Sequence, residues 1–468
     1  MTLWSPIYDR QLLDYYQSLP SWIFKSQRWF GDRSTETRLD LHATFQYRSS
    51  QAQTVYLTIN LFTLEGTTPY FYYLPLLITT QPQPDRKPLF SRADYYFYDA
   101  IPTMEYVGWI EQMLEVDQPA ARSETGGCLV FSLDPQLAGT SLKLLSSSSN
   151  SLLFVAHRYL LKNYRRIYPG QNPELRLGLA LTRLGSDYIP KLRGYFSYHP
   201  VGDQEYTLGL LQEKIEHLGT GWQVWERLLQ KKLPEQQAEL VNQAYRLGET
   251  LAGLHRQLAA VAYLENRWVV FRGGQIRERV SQLCELVRSE LAGVNPKLAG
   301  MVWQSLNRLG ARFNSDQNLG KAFRIHGDLH LEQVLKTENA WKIIDFEGEP
   351  LKTITERESY DSPLKDLASL LCSIRYRVQT LVTDTSRELE WQLQNKLVQG
   401  YLEAYRSFQA DFLPEISQFE PLIILFQLER VVYEYIYESQ YRPDWVQIPL
   451  IGLARLVESS GINEEETQ

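Results

Sequence analysis

Residues 326 to 350, HGDLHLEQVLKTENAWKIIDFEGEP, constrain this chain more than any other stretch. They set His326, Asp328, Gln333 and Asp345 inside one short loop-and-strand unit. Asp345 ends the apolar strand WKIID, which would carry its carboxylate out of the core towards a cleft. A carboxylate that can orient a hydroxyl, followed by two side-chain oxygens suited to magnesium near a γ-phosphate, is the layout of a phosphoryl-transfer site.

Bulk properties narrow the surroundings of such a site. At 468 residues the chain has room for two or three domains and a large core. Net charge is −7 and no basic block occurs, so nucleic acid is not an expected partner. No apolar run approaches the roughly 18 residues that span a bilayer, so no membrane association is expected. The opening stretch MTLWSPIYDRQLLDYY has neither the basic nor the apolar region of a signal peptide. Cys128, Cys284 and Cys372 are widely spaced and odd in number. That fits reduced, buried thiols in a cytoplasm and neither a disulfide framework nor a zinc site.

Periodicity divides the chain into a strand-rich first half and a helical second half. A short helix is expected from Asp9 to Leu19, then alternating strands in TRLDLHATFQYR, QTVYLTINLFTL and PYFYYLPLLITT. An amphipathic helix follows, with Met104, Val107, Ile110, Met113 and Leu114 on one face. GCLVFSLD, LLFVAHRYLLKNYRR, IPKLRGYFSY and YTLGLLQEKI read as further strands, and Asn172-Pro173 as a capped helix start. Helical periodicity then covers 235–260, 276–314, 362–382, 388–408 and 419–438, interrupted by a strand unit near 335–346.

Each residue of the proposed chemistry has a plainer alternative. Asp328 is the expected base, and Asp328 and Gln333 share the five-residue spacing of the Asp and Asn in a kinase catalytic loop. The alternative is a helix N-cap ahead of LHLEQVL. Gln333 and Asp345 are the expected magnesium ligands, and Glu347 either supports those ligands, binds a second metal, or is merely an exposed loop acid. Asp345-Phe346-Glu347 stands where kinases carry Asp-Phe-Gly. His326 and His330 bracket Asp328, and a His-x-Asp-x-His cluster would bind a transition metal if further ligands gathered there. Otherwise His326 orients the loop through backbone hydrogen bonds. Lys162, in YLLKNYRR, is placed to meet nucleotide phosphates, with Glu174 to hold it or simply to favour its own helix dipole. The serine run 146–151 suits phosphate approach or a flexible turn.

These segments closely resemble bacterial maltokinases, aminoglycoside-phosphotransferase-like kinases that make maltose 1-phosphate from ATP and maltose. The similarity runs through RWFGDR (28–33), SNSLLFVAHRYLLKNYRRIYPGQNPEL, LGLLQEKIEHLGTGW (208–222), LGETLAGLH (247–255), HGDLHLEQVL, WKIIDFEGEP, DSPLKDLASLL (361–371) and ERVVYEYIYESQYRPDWVQIPL (429–450). The resemblance implies an α+β, two-lobed protein-kinase-like fold: a cap subdomain over 1–97, an intermediate strand-rich N-lobe over 98–215, and a helical C-lobe over 216–468. It implies ATP and Mg2+ as cofactors. Lys162, Glu174, Ser149, Ser151 and the hinge residues Gln212, Glu213 and Ile215 would meet the nucleotide. Asp328 would be the base, and Gln333 and Asp345 would hold the metal. Arg430, Tyr433, Glu434 and Tyr437, together with His326, would contact the sugar. The first four share one helix face at spacings of i, i+3, i+4 and i+7, a face that could equally be C-lobe packing. The implied product feeds α-glucan and glycogen synthesis in the cytoplasm, and association with a trehalose-isomerising enzyme belongs to the same expectation.

The chain departs from that family at Glu332, where a glycine is usual, in the Gly-Asp-Arg of its N-terminal motif, and at Arg176, where an acid is common. These departures bear on the acceptor more than on the reaction. Glucosamine, another hexose or an aminoglycoside would use the same machinery, and Glu434, Glu438 and Asp444 would suit an amine. A degenerate kinase acting only as a binding module would lack one of Lys162, Asp328, Gln333 or Asp345, and all are present.

Overall fold

The period-two alternation of residues 38–64 builds the first sheet. The structure, a computed structural model, describes residues 4–27, 30, 37–52, 54–64, 70–114, 121–123, 125–133, 144–147, 152–155, 158–231, 234–349, 352–381 and 386–459. The chain forms two compact units: Met1–Leu179 with Pro190–Ile215, and Ala180–Ile189 with Glu216–Gln468.

The first unit holds two antiparallel sheets. One runs in the order Trp4–Ile7, Arg38–Ser49, Val55–Leu64, Leu76–Thr79, Tyr95–Asp99, Phe90–Arg92. The single strand expected over 69–80 is two, Phe71–Tyr73 and Leu76–Thr79, with Pro75 between them. Proline has no N–H to give a ladder. Helix α1 (Arg10–Asp14) is shorter than expected. Asp9 caps it by accepting from Leu12 N at 3.0 Å, and the chain then leaves to form Ser18–Pro20 beside Arg38–Asp40.

Helix α2 (Met104–Leu114) buries Tyr106, Val107, Trp109, Ile110 and Met113. Met104, expected on the same face, is 48% exposed, and the rings of Tyr106 and Trp109 take the inward positions instead. Gln112 clamps the N-terminal strand, accepting from Trp4 N and donating to Trp4 O, each at 2.8 Å. One apolar core therefore runs from Trp4, Phe45 and Leu57 through Trp109 to Phe131, Phe196 and Leu210. The subdomain limit expected at residue 97 falls inside the strand Tyr95–Asp99.

The second sheet runs Leu144–Ser147, Leu152–Val155, Tyr159–Asn163, Tyr206–Glu213, Leu192–His199, Cys128–Leu133, Ala121–Arg122. Its central hairpin pairs Lys162 with Leu152 on one side and Leu210 on the other. Helix α3 (Pro173–Arg183) starts where Asn172 Oδ1 accepts from Glu174 N at 2.8 Å.

The second unit is mainly helical: α4 (Gly221–Lys231), α5 (Pro234–Leu264), α6 (Gly273–Leu286), α7 (Pro296–Ala311), α8 (Ile354–Arg357), α9 (Leu364–Leu381), α10 (Ser386–Ser407), α11 (Ile416–Tyr441) and α12 (Gln447–Ser459). Two small sheets interrupt the helices. One is Gly219–Thr220, Val334–Lys336, Trp341–Ile343, and the other is Trp268–Arg272 with Asn318–Phe323. The helix expected over 276–314 is divided into α6 and α7 because Asn295 caps and Pro296 opens a new helix. Helices α5 and α10 cross where Gly248 faces Leu397 and Gly400 faces Tyr245, and a Cβ on either glycine would collide with the facing backbone carbonyl. No helix among the described residues is long and apolar enough to cross a membrane.

Helix α9 lies at the centre of this unit, buried from Leu364 to Arg375. A helix buried all round must satisfy its polar residues internally. Lys365 does so in a four-charge cluster. Its ammonium lies 2.8 Å from Glu429 and 3.4 Å from Asp361, while Arg279 on α6 reaches Glu429 at 2.7 Å and Asp361 at 3.0 Å. Burial would push the Glu429 carboxyl up, but Arg279 and Lys365 outweigh it and hold the group far below its usual 4.5. A carboxyl with a depressed pKa stabilises the fold above its unfolded-state value, and the contribution fades as pH falls through the folded-state value. Glu429→Gln should therefore cost about 3 kcal/mol of unfolding free energy at neutral pH. The gap to wild type in urea denaturation should narrow on acidification below 4.5. A neutral-pH difference near zero would contradict this role.

Candidate active site

The loop His326–Leu331 is built around one buried carboxylate. Asp366, in the first turn of α9 and 1% exposed, accepts from His326 N through Oδ2 and from Gly327 N through Oδ1, both at 2.8 Å. His255 Nε2 on α5 meets the same Oδ2 at 3.2 Å, and the Tyr401 hydroxyl lies 2.9 Å from His255 Nδ1. Burial would raise the Asp366 pKa, but hydrogen bonding and charge from His255, with the loop N–H groups, hold it below the usual carboxylate value. Two helical turns further, Ser373 Oγ accepts from Leu331 N at 3.0 Å. Two polar residues of α9 thus fix both ends of the loop.

His326 is fully buried against Phe346, with ring centroids 4.8 Å apart. Its Nδ1 accepts from Asp328 N at 3.2 Å, and its Nε2 donates to Ile344 O at 2.9 Å. This corrects two expectations. His326 has no ring nitrogen left for a sugar or for a transition metal, and it ties the Asp328 loop to the segment before Asp345. His330 is neutral, its pKa lowered to about 4 mainly by burial. It caps the 3₁₀ turn Leu331–Gln333 by accepting from Glu332 N at 3.3 Å. The N-cap is therefore His330 and not Asp328.

Arg324 makes the second tie between the two loops. Its guanidinium donates to Ile325 O, to His326 O at 3.2 Å and to Phe346 O at 3.0 Å. Asp345 follows the strand Trp341–Ile343 in a left-handed conformation, φ 69°, which is costly for a non-glycine residue. The turn aims its carboxylate at Gln333, whose Nε2 donates to Asp345 Oδ2 at 3.1 Å. Gln333 Oε1 accepts no hydrogen bond among the described residues, and carboxylate oxygens of Asp345 and Glu347 lie within 4.8 Å of one another. An amide oxygen beside two carboxylates is a hard donor set that fits magnesium.

Asp328 faces α11. Arg430, 8% exposed, donates through Nη1 to Asp328 Oδ1 at 2.7 Å and through Nε to Glu434 Oε1 at 2.9 Å, and lies 4.0 Å from Glu349. Burial opposes its charge, but Asp328, Glu434 and Glu349 outweigh burial and hold its pKa well above the usual value. The structure thus gives Arg430 the place of a clamp on Asp328, not the open sugar-facing position expected from the sequence. Asp328 Oδ2 carries no hydrogen bond among the described residues. Tyr433, Glu434 and Tyr437 share the half-buried face of α11 with it. Nearby aromatics extend that face: Tyr437 packs on Tyr441 at 4.9 Å, and Tyr376 on α9 stacks on Trp445 at 6.1 Å and packs on Trp222 at 5.9 Å.

In the first unit, Lys162 Nζ lies 2.6 Å from Glu174 Oε2, which also accepts from the Tyr164 hydroxyl at 2.8 Å. Gln212 and Glu213 end a strand, where Glu213 N donates to Lys191 O and Lys214 N to Arg158 O. Glu213 Oε1 pairs with Arg193 at 2.5 Å. Among the described residues, the N–H and C=O of Ile215 make no backbone hydrogen bond. Ser149 and Ser151 lie outside the described residues, as does most of RWFGDR.

The residues that set this geometry but carry no expected role are Asp366, His255, Arg324 and Ser373. Replacing Asp366 by Asn would turn an amide donor towards backbone donors. It should raise amide exchange at His326 and Gly327 by one to two orders of magnitude, roughly 1–3 kcal/mol per orphaned donor. Unchanged protection at those two amides would contradict the pinning.

Residues 141–411 match the phosphotransferase enzyme family, APH. A curated relative, glucosamine kinase of Streptacidiphilus jiangxiensis, is 24% identical over 305 residues, covering 62% of this chain and 66% of that protein. The match therefore spans about two thirds of the relative's length. Solved structures of glucosamine kinase cover more. One in complex with glucosamine, ADP and inorganic phosphate matches 94% of this chain and 97% of its own at TM-score 0.63 and 17% identity. Crystal form B gives 0.65 at the same coverage and identity. At that identity the likeness speaks for the fold, which is α+β and protein-kinase-like. With more than half of its length in the match, the chain belongs to the phosphotransferase enzyme family.

Proposed function

We propose that this protein is an ATP-dependent sugar kinase in which Asp328 is the general base. The observation that carries the reading is the asymmetry of that carboxylate: Oδ1 is held by Arg430 at 2.7 Å and Oδ2 carries no partner among the described residues. A base fixed by one oxygen presents the other in a set direction, and phosphoryl transfer depends on such positioning more than on base strength. Gln333 and Asp345, with Glu347 close by, would hold magnesium, which when bound neutralises phosphate charge. Lys162, steadied by Glu174, would offer its ammonium to the nucleotide phosphates. Ile215, whose N–H and C=O make no backbone hydrogen bond among the described residues, is the hinge residue best suited to the adenine edge.

For the acceptor, glucosamine is favoured. The curated relative and the matching structures bear that name, and the α11 face carries Glu434 and Glu438, acids that suit an amino group. Maltose is the second reading. The Trp222, Tyr376 and Trp445 rings offer flat apolar surface of the kind a second sugar ring covers. The α-glucan product and the trehalose-isomerising partner belong to the maltose reading alone.

Coupled detection of ADP release with glucosamine, maltose, glucose and an aminoglycoside separates these acceptors. Asp328→Ala should lower kcat by roughly 10²–10⁴ while ATP affinity stays near wild type. Arg430→Gln should lower kcat with little change in the ATP KM, because it frees Asp328 without touching the nucleotide residues. Wild-type turnover in Asp328→Ala would remove the base. ADP release independent of any sugar would remove the acceptor class.

A further inference from the structure

A cavity of about 570 Å³ lies between α6 and α7 in the helical unit, lined by residues assigned no part above. We propose that it is a binding site for a small organic anion carrying a planar ring, with the ring on Trp303 and the anionic group on Arg288. The proposal does not depend on the kinase reading.

The register of the two helices places these groups together. Gly310 abuts Val280, where an added Cβ would lie 3.2 Å from a Val280 methyl. Arg277 Nε donates to Phe313 O at 2.9 Å, and Asn307 Nδ2 meets Cys284 Sγ at 3.5 Å. These contacts step antiparallel along the pair, so the next turn sets Trp303 level with Arg288. Gly310 draws the helices together at one end. At the other, α6 passes into a π turn, Val287–Leu291, in which Ala292 N donates to Val287 O at 3.1 Å. Such wide turns recur at functional sites. The volume falls within the range of about 300–1,000 Å³ typical of ligand pockets.

The lining specifies the ligand. Trp303 is 50% exposed, a large flat ring left open on the cavity wall. Among the described residues, neither Arg277 nor Arg288 forms an ion pair, and the only acid in the lining is Glu285. Guanidinium groups take carboxylate, sulfonate or phosphate with two parallel hydrogen bonds. Arg277 and Arg288 stand eleven residues apart, about 16 Å along a helix, so one anionic group engages one of them. Arg288 is the one that shares the open end with Trp303.

Cys284 reports on occupancy from within the cavity, being partly accessible, and Cys128 in the other unit is an internal control of similar accessibility. The full-length protein is treated with iodoacetamide, and labelling of each cysteine peptide is followed by mass spectrometry with and without naphthalene-2-sulfonate. At twice its Kd the probe should slow Cys284 labelling about threefold and leave Cys128 unchanged. Uncharged 2-naphthalenemethanol should protect less. Trp303→Ala and Arg288→Gln should each remove most of the protection, and the second change keeps the packing of the first site intact. Absence of protection in wild type, or protection in either variant as strong as in wild type, would overturn the site.

Discussion

The candidate site depends on one buried carboxylate. Asp366 sits on the central helix α9 and receives two backbone N–H groups of the catalytic loop at 2.8 Å. From that anchor the geometry spreads outward. His326 is held by its backbone and lends its ring to Asp328 N and Ile344 O, and Arg324 ties both loops through their carbonyls. The left-handed turn at Asp345 is strained locally, and this web of hydrogen bonds over-determines it. Preorganisation of this kind is what a positioning-dominated reaction needs.

Helix α11 approaches from the other side of the same unit. Its Arg430 joins three carboxylates, Asp328, Glu434 and Glu349, so the direction of the Asp328 carboxylate and the charge of the α11 face are set together. A change at Glu434 would therefore also disturb Asp328. The residue just before Arg430, Glu429, joins Arg279 and Lys365, so α6, α9 and α11 are bound by charge as well as by packing.

Much of this was legible in the sequence because it is local. Asp328, Gln333 and Asp345 lie within one short segment, and the strand pair Val334–Lys336 and Trp341–Ile343 brings the last two into contact. Lys162 and Glu174 were paired from their spacing across a turn and a capped helix start, and they meet at 2.6 Å. What escaped is long-range. Asp366 lies within a motif whose resemblance was noted, yet nothing local says that a charged residue in an apolar helix caps a loop forty residues away. An acid set within the apolar run DSPLKDLASLL was the available signal. His326 and Arg430 were expected as sugar contacts because the family resemblance implied it. Both are buried, which a single sequence does not display, and both bond Asp328. The broken helix over 276–314 was marked by Asn295-Pro296, a stop-and-start signal that the strong periodicity outweighed.

The chemistry reduces to whether a phosphoryl group reaches a sugar oxygen. Phosphorus NMR of the protein incubated with ATP, magnesium and glucosamine or maltose reads that outcome directly. The account predicts a new phosphomonoester signal coupled to a sugar proton, growing as ADP accumulates, and absent when Asp328 is replaced by Ala. A spectrum in which ATP yields only ADP and inorganic phosphate, with no sugar-coupled signal for any acceptor, would contradict it.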